Sequence, residues 1–212
     1  MNLMPRKTVA RALLDEVPAG PITGYRLAPR DPGVETPIDE DVLRSRRSVR
    51  SYAPRPVPFA DLERVVLAGQ AAVDDLFGAA TPAGAELVAI ILRRPGDEVR
   101  VRRAQRWAPG PAFAVDDLAT TYADAPALVF ICGDLAAASD GLGSRGYPNA
   151  LVRAGCFGYA AWLAGIAGGL SGCVFGRSYA PVTRLARSAT GRPLRHLFTL
   201  TLGWDASAGE AG

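Results

Sequence analysis

Residues 43–67 read Leu43-Arg-Ser-Arg-Arg-Ser-Val-Arg-Ser-Tyr-Ala-Pro-Arg-Pro-Val-Pro-Phe-Ala-Asp-Leu-Glu-Arg-Val-Val-Leu67, and the fold turns on this stretch. Its first part packs Arg46, Arg47, Ser48 and Arg50 into five residues after a short amphipathic run, Ile38 to Leu43. Guanidiniums fork onto phosphate oxygens and a hydroxyl fills a remaining lone pair, so the cluster can form a compact anion cradle. A solvated charged helix end is the competing reading of the same residues. The i, i+2, i+4 spacing of Arg46, Ser48 and Arg50 at a helix end favours a shared ligand. After the turn Ala53-Pro54-Arg55-Pro56, apolar positions recur at helical spacing from Phe59 to Leu76, starting just past Pro58.

Working outward, the pattern alternates between helices and short apolar strands. Residues 4–16 read as an amphipathic helix, 17–37 as a Pro/Gly-rich extended arm, and Asp39 to Arg47 as a helix. Strands are expected at Glu86–Leu92, Ala127–Cys132, Cys173–Phe175 and Leu197–Leu202. Glu98–Trp107 alternates and should pair with the first of these across Arg93 to Asp97. A helix over Ala180 to Ser188 follows, and the small polar residues 206–212 read as a frayed tail. These elements predict an α+β fold with an antiparallel-rich mixed sheet flanked by helices. The expected organisation is a helix and arm over 1–37, one domain over 38–205, and the tail.

Ala154 to Gly176 has no charged residue over 23 positions, enough to cross a bilayer. Seven of those positions are glycine, however, and Gly168-Gly169 should stop a helix. The spacing predicts a long buried central helix from Pro148 to Gly168, followed by a strand, with a membrane span as the alternative reading. Glycine and alanine at close spacing let another helix or a flat ring approach the backbone.

The 212-residue chain can build one sizeable core, and its 49% hydrophobic content is that of a globular protein. Its net charge of +3 comes from arginine, with Lys7 the sole lysine, and the arginines are interleaved with acids. No basic stripe points to nucleic acid. Cys132, Cys156 and Cys173 lie in apolar runs without CxxC spacing, which fits buried thiols in a reducing cytoplasm and no metal site. The N-terminus carries no basic-then-apolar signal pattern, so secretion is not expected.

Four segments carry a family resemblance in the correct order. They are the Leu43–Leu67 stretch, Ala80-Thr-Pro-Ala-Gly-Ala-Glu-Leu-Val-Ala-Ile-Ile-Leu92, the Ser144–Leu163 helix, and the pair Gly169–Arg177 and His196–Trp204. Together they resemble the nitroreductase-like FMN oxidoreductases over about residues 36–204. With the long N-terminal arm, they look most like the thiazole/oxazole-forming dehydrogenases of ribosomal-peptide pathways. The resemblance implies an intertwined homodimer with FMN at its interface, acting on a small molecule or peptide within natural-product biosynthesis. It implies that Arg46, Arg47, Ser48 and Arg50 hold the FMN phosphate. Pro82, Ala83 and Gly84 would line the ring, with Val174, Phe175, Gly176 and Arg177 opposite N5. The residues agree: a redox flavin needs an anchor, close backbone approach, and donors near the ring.

This chain also departs from the pattern. Ala83 stands where the family turn usually has serine, and no basic residue follows His196. Azoline-oxidising members carry a Lys-Tyr pair where this chain has Gly141-Leu142. Asp140 and Tyr147 are the nearby substitutes for a missing general base, Tyr147 being equally a packing residue. No catalytic side chain is assigned, because the flavin can perform the hard step. The readings are dehydrogenation of a peptide-derived intermediate, NAD(P)H-dependent reduction of a nitro, quinone or enone acceptor, or a non-catalytic partner subunit. His196, the lone histidine, reads as structural more readily than catalytic.

Overall fold

A computed structural model describes residues 40–77, 86–103, 106–113 and 117–209. The expected helix 4–16, the arm 17–37 and the Pro82-Ala83-Gly84 turn lie outside the described residues. The elements are α1 (Glu40–Ser45), α2 (Phe59–Phe77), β1 (Val88–Arg93), β2 (Glu98–Arg103), β3 (Arg106–Pro109), α3 (Leu118–Tyr122), β4 (Ala127–Gly133), α4 (Leu135–Leu142), α5 (Gly146–Ala167), β5 (Ser171–Phe175), α6 (Ala180–Thr190) and β6 (Arg195–Gly203). One six-stranded sheet runs in the order β3-β2-β1-β4-β6-β5, with every named pairing antiparallel.

Strand alternation divides the core into two layers. Ala89, Ile91, Val129, Ile131, Leu200 and Leu202 point into one cluster with Leu62, Val66, Phe157 and Trp162 of α2 and α5. Val88, Ile90, Leu92, Leu128 and Phe130 point into the other, with Tyr122, Val182 and Leu185. β4 is buried along its whole length, as its unbroken apolar run predicts. On α2 the buried residues Phe59, Leu62, Val65, Val66, Gly69 and Val73 follow the helical stripe. Asp134 caps α4 by accepting from the Ala137 N–H at 3.0 Å. Gly191 closes α6 in the left-handed conformation, φ 70°.

The expected single strand over 98–107 is two strands, β2 and β3, which pair with each other. The expected helix through Arg47 stops at Ser45, because the chain beyond it pairs with β5. The central helix begins at Gly146 and ends at Ala167, one layer of the fold. Leu135–Ala167 is long and apolar enough to cross a membrane, but 56% of its apolar window is buried inside the fold. Gly158 explains part of that packing, since a Cβ there would collide with the Phe198 ring of β6. Cys132 and Cys173 are buried as expected; Cys156 is only half-buried. The start of the tail is tied down: Ala206–Gly209 forms a 3-10 turn, and Tyr52 bridges to Asp205.

Candidate functional site

Beyond α1 the chain becomes an added ribbon on the open side of edge strand β5. Ser48 pairs with Gly172 in parallel, and the Val49 N–H donates to the Gly172 carbonyl at 2.9 Å. Farther on, the Ala53 N–H donates to the Trp204 carbonyl at 2.8 Å. Tyr52 pegs the ribbon down: its hydroxyl donates to the Val49 carbonyl at 2.6 Å and meets Thr201 Oγ1 at 2.7 Å. Burial pushes the Tyr52 phenol up to about 12, so it stays protonated as a fastener. At Gly172 the close neighbours are β6 and α5, because a Cβ there would run into the Thr201 carbonyl and crowd Trp162 Cδ1.

The ribbon sends its side chains in two directions. Arg46 places its guanidinium carbon 5.0 Å from the ring centroid of Trp162, and Arg50 lies 5.9 Å from that of Phe175. Arg47 instead pairs with Asp205 at 2.9 Å. With Val49, Ser45, Ile166, Leu170 and Ser171, Arg47 lines a separate cavity of about 380 Å³. Hydrogen bonds from the Ser207 hydroxyl and backbone N–H, then from Arg47, hold the Asp205 carboxyl at about 2. Among the described residues neither Arg46 nor Arg50 forms an ion pair. Arg46, Ser48 and Arg50 are exposed, so two guanidiniums without acid partners flank a hydroxyl at the surface.

The second expected wall, Val174 to Arg177, finishes β5 and leaves the sheet. Phe175 packs edge-on against Tyr122 with ring centroids 5.5 Å apart, and the Tyr122 hydroxyl donates to the Arg177 carbonyl at 3.2 Å. A Cβ on Gly176 would meet nothing within 4 Å, so open space lies above this backbone. Arg50 joins this wall to the anchor through its contact with Phe175. The sequence-predicted residues 46, 48, 50 and 174–177 are thus brought to one sheet edge, while Pro82, Ala83 and Gly84 lie outside the described residues.

His196 is a structural fastener. Its ring is 1% exposed, and Nδ1 accepts from the Tyr179 N–H at 3.0 Å, so the proton sits on Nε2, which is 2.9 Å from the Phe198 carbonyl. Burial lowers its pKa to about 4, so the ring is neutral at pH 7. Of the substitute bases, Asp140 is exposed on α4 and Tyr147 is 53% exposed, with little packing role in this chain. Tyr147 precedes Trp162 by 15 helical positions, about 22 Å along α5 at 1.5 Å per residue. Gly141-Leu142 forms the end of α4.

Three supporting residues have no signature in sequence. Trp162 lies under Arg46, Tyr122 supports Phe175 and the Arg177 carbonyl, and the Tyr179 hydroxyl donates to the Asp117 carboxylate. Only their aromatic character within apolar or helical stretches was visible, and that marks core residues equally well. Trp162 Nε1 is buried without a hydrogen-bond partner among the described residues. Two guanidiniums without an ion pair among the described residues, with an exposed hydroxyl between them, fit the terminal phosphate of a bound nucleotide-like group.

The nitroreductase family profile matches residues 43–204. No curated protein matches the chain. Among solved structures, the chain is similar to a protein from Ralstonia eutropha assigned to the nitroreductases, at 17% identity and TM-score 0.61, covering 86% of this chain and 89% of that one. It is also similar to NfrA2 of Bacillus megaterium, at 17% identity and TM-score 0.56, covering 79% and 66%. A third is the NADPH:FMN oxidoreductase of Vibrio harveyi complexed with NAD+, at 17% identity and TM-score 0.51, covering 79% and 68%. At this identity these likenesses show the fold.

Proposed function

The chain belongs to the nitroreductase family, and from that premise we propose that it is an FMN-dependent oxidoreductase dehydrogenating a peptide-derived natural-product intermediate. The observation that carries the FMN part of this reading is the pair Arg46 and Arg50, neither in an ion pair among the described residues, on either side of Ser48. When bound, FMN supplies a two-electron, hydride-accepting ring. Arg46 and Arg50 donate to phosphate oxygens, with the Ser48 hydroxyl between them. Arg47, already engaged by Asp205, contributes positive potential rather than a direct contact. Val174 to Arg177 lines the ring, the Arg177 carbonyl held by the Tyr122 hydroxyl. Pro82, Ala83 and Gly84 would cover the ring from the other side, as the resemblance implies. The thiazole/oxazole-forming branch remains our assignment because of the Pro-Ala-Gly-Ala turn and the long arm at 17–37.

A homodimer suits the exposed anchor. Tyr147, Leu151, Val152 and Tyr159 form an exposed apolar stripe on α5, and a second copy of this chain would cover it. We assign the protein to the cytoplasm because Cys132, Cys156 and Cys173 are free thiols. The second reading, an NAD(P)H-dependent reductase of nitro, quinone or enone acceptors, is favoured by Gly141-Leu142 standing in place of a Lys-Tyr pair. The similar Vibrio harveyi structure is itself an NADPH:FMN oxidoreductase, which supports this reading further.

The test is anaerobic flavin reduction after loading with FMN. Bleaching by a cyclic or linear peptide panel, but not by NADH or NADPH, is the result expected. Bleaching by a nicotinamide donor and recovery with a nitroaromatic or quinone would establish the reductase. A chain that takes up no FMN would be a non-catalytic partner subunit.

A further inference from the structure

The anchor depends on a ring that the functional reading leaves unused. Arg46 lies over the Trp162 indole at 5.0 Å, and Arg50 lies over Phe175 at 5.9 Å, so among the described residues each guanidinium faces an aromatic ring and not a carboxylate. A ring face attracts a guanidinium without occupying its N–H edge, whereas a carboxylate would consume that edge. The neighbouring Arg47 shows the contrast, since its guanidinium is spent on Asp205.

Trp162 is 2% exposed, and its Nε1 is buried without a partner among the described residues. A buried donor left unpaired is rare and costly, and phenylalanine would fill most of the same space without it. What tryptophan adds is the stronger cation–π surface. The indole also reaches the ribbon's hydrogen-bonding partner, because its Cδ1 would lie 3.2 Å from a Cβ on Gly172, whose carbonyl receives the Val49 N–H.

We propose that Trp162 is the positioning residue of the anion anchor, holding the Arg46 guanidinium over its ring face so that the N–H edge stays open to a terminal phosphate monoester. The proposal rests on the FMN reading for its ligand but not for its mechanics. Trp162 acts through Arg46 and touches no reacting atom.

The experiment compares FMN with riboflavin, which lacks the phosphate, in the purified full-length chain. Trp162→Leu is expected to raise the Kd for FMN about fivefold and leave that for riboflavin unchanged, with Trp162→Phe recovering most of the loss. In a double-mutant cycle, Trp162→Leu should add little to Arg46→Ala, because both remove the same contact. Equal weakening of both flavins, or full additivity with Arg46→Ala, would overturn the proposal in favour of a purely structural ring. If Trp162→Leu does not fold, Trp162→Phe and inorganic phosphate decide. Phosphate titration should change the indole emission of the wild type saturably, and that change should vanish in Arg46→Ala, while its loss in Trp162→Phe only assigns the emission to Trp162. Its absence in the wild type would also overturn the clamp. Phosphate binding without flavin uptake would keep the clamp and sink the FMN reading, whereas FMN uptake indifferent to Trp162 would do the reverse.

Discussion

At the scale of single residues, the ribbon at 46–50 gives its three arginines different partners: Trp162 for Arg46, Asp205 for Arg47 and Phe175 for Arg50. A charge-assisted contact to phosphate is worth about 1.5–3 kcal/mol when well buried, and these groups are exposed, so the lower end applies. Arg46→Ala and Arg50→Ala should each weaken FMN about tenfold. Arg47→Ala should change the affinity by less than about threefold, since its partner is Asp205. Isothermal titration of the three variants checks the division, and equal losses at all three positions would contradict it. His196 makes a separate prediction about stability. Its folded pKa lies at about 4, below the ordinary 6.5, so the unfolded chain takes up the proton first as pH falls. Its contribution is therefore complete above about pH 6.5 and lost on the way down to about pH 4, amounting to about 3 kcal/mol. Urea unfolding at pH 7 and pH 4.5 should show that loss in the wild type and a smaller one in His196→Gln.

At the scale of elements, α5 is the longest helix and carries glycines with opposite surroundings. Gly158 sits against Phe198, where any side chain collides, while a Cβ on Gly155 would meet nothing within 4 Å. Gly158→Val should destabilise by about 1–3 kcal/mol or more through overpacking between α5 and β6. Gly155→Ala should be neutral or stabilising by up to about 1 kcal/mol from helix propensity. Thermal unfolding of both variants, read by circular dichroism, should shift Tm in different directions. The same contrast shows how far the sequence was legible here. The Gly/Ala spacing announced close approach somewhere along 148–168, and the structure supplies the neighbours: Phe198 at Gly158, Leu202 at Gly165 and open space at Gly155.

At the scale of the whole molecule, the exposed α5 stripe and the exposed anchor raise the same question of what covers them. We expect light scattering to give about twice the 22.3 kDa chain mass. Val152, 60% exposed, is the most open residue of the stripe. Val152→Glu should shift the protein toward monomer and lower its FMN affinity, because the resemblance implies a flavin at the interface. A folded monomer that binds FMN as tightly as the dimer would separate the two ideas.

The sequence by itself determined the antiparallel sheet and its helical layers, because apolar period and turn residues are local signals that survive in any context. Five strands and the helices at 59–77, 146–167 and 180–190 were visible on those grounds, with ends shifted by a few residues. The break between β2 and β3 was not, since no Gly, Pro, Asn or Asp punctuates Glu98 to Trp107 and only the pairing of its two halves separates them. The Arg-Arg-Ser-Val-Arg cluster suggested an anion site, but it could not say which guanidiniums lack an ion pair among the described residues. Only the tertiary structure decided that, by bringing Asp205 to Arg47 across 158 positions, Trp162 to Arg46 and Phe175 to Arg50. An ion pair or a ring contact between residues so far apart leaves no periodic trace, because it depends on where the sheet edge ends and not on the neighbours in the chain.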